Sequence, residues 1–138
     1  WLDGDEHAYA EEAGQMNIFF RIGDEVITPE LSGTILPGVT RDSVLSLLKQ
    51  WGIKATARRI SMAELRKAAE SESLLEIFGA GTAAVVVPVD SIQYQDFDIR
   101  ACPPSANSLS QRLFQSLLAI QHGQVDDTNN WIQFVDIE

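Results

Sequence analysis

The sequence predicts one α+β domain on a mixed sheet with flanking helices. Three observations carry this: extended apolar stretches outnumber helical ones, the two kinds do not alternate strictly, and 138 residues with 45% apolar content suffice for one core. Met16 to Ile22 is apolar and aromatic, Gly23-Asp24 marks a turn and Glu25 to Thr28 resumes the extended pattern, so a β-hairpin is expected there, ended by Pro29. The breaker-rich run Leu31 to Gly38 then feeds a helix whose apolar positions are Val44, Leu45, Leu47, Leu48 and Trp51, up to Gly52. Lys54 to Ile60 alternates like a half-buried strand. Ser61 with Glu64 forms a capping box for a short helix through about Glu70.

Leu74 to Phe78 and Thr82 to Val89 read as core strands joined by a glycine-lined turn, Gly79-Ala80-Gly81. Ile92 to Ile99 is a weaker extended stretch, and Pro103-Pro104 breaks the chain. Ser108 with Gln111 caps a last helix carrying Leu113, Leu117, Leu118 and Ile120 and ending at Gly123, and Trp131 to Val135 is read as a final strand.

Composition narrows the partners. Ten basic against twenty acidic residues give a formal charge of −10, and the basic residues form no stripe, so nucleic acid and anionic membranes are not expected partners. Cys102 is the single cysteine, which excludes an intrachain disulfide and a cysteine-zinc cluster and suits a reducing compartment. His7 and His122 lack ligand spacing, so no metal site is expected. No apolar run reaches membrane-spanning length. The opening Trp-Leu-Asp-Gly, without an initiator Met, suggests a cut through a longer chain.

Three places could carry chemistry. Gly38-Val39-Thr40 stands at the amino end of the Val44 helix, where unpaired N–H groups and the helix dipole favour an anion such as phosphate, or where Thr40 simply caps the helix. Gly79-Ala80-Gly81-Thr82 could bring backbone N–H groups and a hydroxyl to a ligand, although a tight turn between buried strands explains the glycines equally well. Glu11-Glu12 precedes an apolar strand, either needing a partner if buried or marking an exposed strand end.

Read together these segments become specific. Glu12-Ala-Gly14-Gln-Met-Asn17-Ile-Phe19, Val26-Ile-Thr28 and Leu36-Pro-Gly38-Val39-Thr-Arg41 resemble, in order and spacing, the long signature of the fold-type IV aminotransferases that use pyridoxal phosphate. Ile35 to Leu45, Phe78 to Val89 and Ile120 to Gly123 are similar to the branched-chain aminotransferases within that group, and the likeness runs from Trp1 through Trp131. It implies a mixed-sheet pseudo-barrel lobe, residues 1–138 being the C-terminal cofactor-binding domain with the N-terminal domain absent. The parent would transfer the amino group of leucine, isoleucine or valine to 2-oxoglutarate as a homodimer, in the cytoplasm or alternatively the mitochondrial matrix.

The resemblance also implies roles. Glu12 pairs with the pyridine nitrogen of pyridoxal 5'-phosphate, Leu36 packs on its ring, and Gly38, Val39, Thr40 and Thr82 hold the phosphate. Gly14, Gln15, Gly81 and Ala83 border the substrate. The family's Schiff-base lysine belongs upstream of Glu12, and Lys49, Lys54 and Lys67 are each assigned to solvent, so no catalytic residue is expected in this chain and it should be inactive alone. Ala84 and Val87 stand where some members carry a Cys-x-x-Cys pair, so no such redox switch is expected. Two alternatives remain open: a fold-type IV aminotransferase or lyase for another amino acid or amine, and a non-enzymatic module keeping the scaffold.

Overall fold

The computed structural model describes residues 1–103 and 107–135; Pro104 of the expected break lies outside them. The central strand β2 (Met16–Ile22) pairs along one edge with β5 (Leu74–Gly81), antiparallel. Its other edge is divided, with β1 (Glu12–Ala13) against its start and β3 (Glu25–Thr28) against its end, the β2–β3 hairpin turning at Gly23. From β3 the chain crosses through helix α1 (Val39–Gln50) to β4 (Lys54–Ala57), which therefore runs parallel to β3, and β6 (Val85–Val89) closes the path antiparallel to β5. The order β4-β3-β2-β5-β6 is the expected mixed sheet. A separate hairpin joins β7 (Ser91–Tyr94) and β8 (Phe97–Arg100).

Both sheet faces are covered, which is why the central strands read as nearly continuous apolar runs. On one face Phe19, Phe78, Ala80 and Val86 meet Val44, Leu47 and Leu48 of α1 and Leu113 and Leu117 of α3 (Leu109–Gln121). The Phe19 and Phe78 rings stack with centroids 5.0 Å apart. On the other, Ile18, Phe20, Ile27 and Ile77 meet Met62 and Leu65 of α2 (Met62–Glu70) and Ile99 of β8. Among the described residues no helix is long and apolar enough to cross a membrane.

Both expected serine caps form, Ser61 accepting from the Glu64 N–H at 3.1 Å and Ser108 from the Gln111 N–H at 3.3 Å. Each helix closes by a Schellman pair of backbone bonds, such as Gly52 N–H to Lys49 and Ile53 N–H to Leu48 after α1. The residue that must turn left-handed is Gly52 after α1 and Gly123 after α3, but exposed Glu72 (φ 55°) after α2. Glu72→Gly should therefore raise stability by up to about 1 kcal/mol, read as a higher urea midpoint at unchanged m.

Four expectations need correction. The strand expected over Lys54 to Ile60 stops at Ala57, where the Arg58 N–H turns to the Thr28 carbonyl at 3.0 Å and Ile60 is already the carbonyl partner of the Ala10 N–H. Gly79-Ala80-Gly81 is not a turn but the end of β5, kept side-chain-free because Met16 lies across it: a Cβ on Gly79 would stand 3.0 Å from the Met16 sulfur. The turn is Thr82-Ala83-Ala84, closed by Val85 in the left-handed region (φ 55°). Ile92 to Ile99 is a hairpin, reversed at Gln95 (φ 52°). Trp131 to Val135 forms no strand, because the Asp127 carboxylate takes the N–H groups of Asn129 and Ile132 and folds the chain locally.

Candidate cofactor and substrate cleft

Two turns stand side by side at one end of the sheet because β2 and β5 are neighbours: Gly14-Gln15 between β1 and β2, and Thr82-Ala83-Ala84 between β5 and β6. The two turns are in close contact: a Cβ on Gly81 would lie 3.3 Å from Met16 Cγ and 3.4 Å from the Gln15 carbonyl oxygen. Between them opens a cleft of about 720 Å³. Glu12, Gly14, Gln15, Leu36, Gly81, Thr82 and Ala83, seven of the expected site residues, line it, and Met16, Asn17 and Ala84 join them.

Glu12 is half-buried, and its carboxylate accepts the Leu36 N–H at 2.8 Å. Beside it, Glu11 accepts the Thr34 hydroxyl at 2.8 Å. The pair thus ties the loop before α1 to the sheet rather than forming an idle strand end. Leu36 is 69% exposed on the cleft rim, an apolar side chain without a covering partner among the described residues.

Gly38, Val39 and Thr40 do not line the cleft; Gly38 stands two residues beyond Leu36, which does. Gly38 is the N-cap of α1 and no side chain caps the helix, so Thr40 is not the cap. The first N–H groups of α1 are left to solvent or a ligand. Behind them Arg41 is buried, one guanidinium nitrogen donating to the Pro29 carbonyl at 3.0 Å and Nε finding no partner among the described residues. Burial lowers its pKa from the usual guanidinium range, with the Asp42 charge opposing, and the side chain sits under an already positive helix end. The sequence offered no sign that this arginine would be buried, since Arg41 sits in the polar first turn.

Lys49, Lys54 and Lys67 are all exposed and none lines the cleft. Lys54 instead pairs with Glu25 at 3.1 Å.

A concave cleft walled by two backbone turns and carrying one carboxylate, with an uncapped helix start two residues beyond its lining Leu36, has the make-up of a small-molecule site: N–H donors suit an anion and the carboxylate suits a protonated or hydrogen-bond-donating group. Residues 3–92 match the amino-transferase class IV family, and the chain belongs to it. A probable branched-chain-amino-acid aminotransferase from Staphylococcus aureus is 44% identical over 131 residues, covering 95% of this chain and 37% of that protein. The chain thus spans little more than a third of the length of this curated relative. Among solved structures, the branched-chain amino acid aminotransferase from Escherichia coli superposes with a TM-score of 0.72 at 27% identity, over 94% of this chain and 40% of that one. An aminotransferase from Brucella abortus bound to the cofactor PLP gives 0.66 at 26%, over 88% and 39%.

Proposed function

We propose that residues 1–138 are the cofactor-binding lobe of a branched-chain-amino-acid aminotransferase that uses pyridoxal 5'-phosphate to move the amino group of leucine, isoleucine or valine to 2-oxoglutarate, and that works as a homodimer. The observation carrying this is that one cleft brings together an acid and a turn of small residues, with an uncapped helix start two residues beyond the lining Leu36. Their chemistry suits the cofactor: an anion acceptor for a protonated ring nitrogen, and N–H donors for a phosphate. Bacterial relatives favour the cytoplasm over a mitochondrial matrix as its compartment.

Position supports the roles that the resemblance implies. Glu12, oriented by its bond to the Leu36 N–H, would hold a proton on the ring nitrogen. Leu36, apolar and exposed at the rim, would lie against the ring. The N–H groups of Val39 and Thr40, on the helix start that Gly38 caps, with the Thr82 hydroxyl, would hold the phosphate. Gly81 and Ala83, at the second turn, would meet the substrate carboxylate, with Gly14 and Gln15 at the side-chain edge. When bound, pyridoxal phosphate supplies an electron sink for the substrate α-carbon. Proton transfer at that carbon needs an amine at the cleft, and none of the chain's lysines stands there, so the chain alone should bind the cofactor without turning over.

Titrating the chain with pyridoxal 5'-phosphate and with pyridoxal tests this: tighter binding of the phosphorylated form is expected, and Thr82→Ala should weaken it about tenfold by removing one hydrogen bond to a charged oxygen. Equal affinity for the two forms would defeat the assignment of the phosphate end. Faster amino transfer from a D-amino acid or an amine than from leucine, in the enzyme completed by its lysine-bearing lobe, would defeat the substrate assignment.

A further inference from the structure

Asn17 takes no part in the contacts assigned above, yet the cleft is organised around it. It is 5% exposed, on the α1-facing side of β2, and its Nδ2 donates to the Leu36 carbonyl at 2.9 Å. Glu12 is its register partner across β1 and β2, and Glu12 takes the Leu36 N–H. Two neighbouring side chains therefore hold both backbone polar groups of one loop residue.

Two residues on, the Gly38 N–H also closes on the Leu36 carbonyl, at 2.8 Å. The Gly38 backbone, φ −67° and ψ 135°, is open to any residue, so nothing in its dihedrals calls for glycine. Its surroundings do: a Cβ there would stand 2.3 Å from Asn17 Oδ1. Since the Asn17 side chain is itself held by Leu36 and buried, it has little room to yield.

We propose that Asn17 is a positioning residue: by gripping the Leu36 carbonyl and seating side-chain-free Gly38 against itself, it fixes the distance between the Glu12 carboxylate and the amino end of α1, so that both can hold one ligand at once. This rests on the function proposed above. A strand carries the acid, a helix start carries the anion donors, and the three-residue link between them has no secondary structure of its own. Without Asn17 the link keeps only the Glu12 bond to its amino side. The helix end can then shift relative to the acid, and binding groups displaced by about an ångström no longer act together.

The test uses Asn17→Ala, Gly38→Ala and the double variant, with pyridoxal 5'-phosphate and pyridoxal as probes and amide exchange at Leu36 and Gly38 as a ligand-free readout. Asn17→Ala should weaken pyridoxal 5'-phosphate about tenfold, leave pyridoxal within about twofold, and speed Leu36 and Gly38 exchange while Phe19 and Phe78 stay protected. Gly38→Ala should lose about as much affinity, and in the Asn17→Ala background it should cost nothing further, because the atom it strikes is gone. Additive losses, equal losses for both probes, or unchanged Leu36 exchange would overturn the proposal. Uniform acceleration across the sheet would overturn it too, marking Asn17 as a general stabiliser. A parent chain that prefers neither probe would sink the cofactor assignment instead, and amide exchange with the Asn17–Gly38 cycle then decides the clamp by itself.

Discussion

Glu76→Gln should destabilise the chain by about 3 kcal/mol, measured by urea unfolding at neutral pH. Glu76 is buried in β5 beneath the start of α3, where its carboxylate accepts the Leu109 N–H at 2.7 Å, the Ser110 N–H at 2.9 Å and the Ser110 hydroxyl at 2.8 Å. Arg21, its cross-strand partner on β2, donates at 2.9 Å. A glutamine keeps the shape but turns an amide donor toward groups that are themselves donors, and leaves Arg21 without its counter-charge. Because α3 packs on β5 and β6, this anchor also supports the strands that carry the Thr82 turn.

The same network sets a pH signature. Burial alone would raise the Glu76 pKa, but the Ser110 and Leu109 N–H groups, the Ser110 hydroxyl and Arg21 outweigh it and hold it below its ordinary 4.5. A carboxylate with a lowered folded pKa stabilises fully above the unfolded value and loses that contribution as pH falls through the folded one. The gap between parent and Glu76→Gln should therefore be constant near neutrality and shrink below about pH 4.5. A gap that stays constant into acid would show that the charge is not what anchors α3.

How much of this was legible depended on whether the determining contact was local. The helices were, since Ser61 and Ser108 cap three residues ahead and Gly52 and Gly123 close the other ends within the same turn. The first hairpin was, since a strand buried on both faces shows as an unbroken apolar run. Gly79 to Gly81 misled because glycine marks both a turn and a close approach, and the approaching side chain, Met16, is far away in sequence. Val85 gave no signal for the true turn, because a β-branched residue is the wrong type for a left-handed backbone.

The site divides in the same way. Its cleft-lining members were named by resemblance, which carries tertiary information that periodicity lacks. What the residues alone left open was the linkage: that Glu12 faces the Leu36 N–H, that Arg41 is buried, and that Gly38 is glycine because of Asn17. The first and last depend on segments more than twenty residues apart meeting at Leu36 to Gly38, and Arg41 on a carbonyl 12 residues back at Pro29, and no local pattern encodes those meetings.

Glu12 carries the largest expected functional effect. On the function proposed above, in an enzyme completed by a lysine-bearing lobe, Glu12→Gln should lower kcat for amino transfer from leucine by about a hundredfold or more, the scale of losing one preorganised electrostatic contact in a water-poor site. The expected effect comes from charge, not shape. Glutamine can still accept the Leu36 N–H through its amide oxygen, so the loop and the start of α1 should stay in place. What it could not do is stabilise a proton on the ring nitrogen of bound pyridoxal 5'-phosphate, so the ring would draw electrons from the substrate less strongly. The loss should accordingly fall on kcat while the affinity for pyridoxal 5'-phosphate stays within a few fold, whereas Glu12→Ala, which also frees Leu36, should lower both. Should Glu12→Gln turn over at near the parent rate, the glutamate would be only a fastener for the loop, and the acid at the ring would have to come from elsewhere.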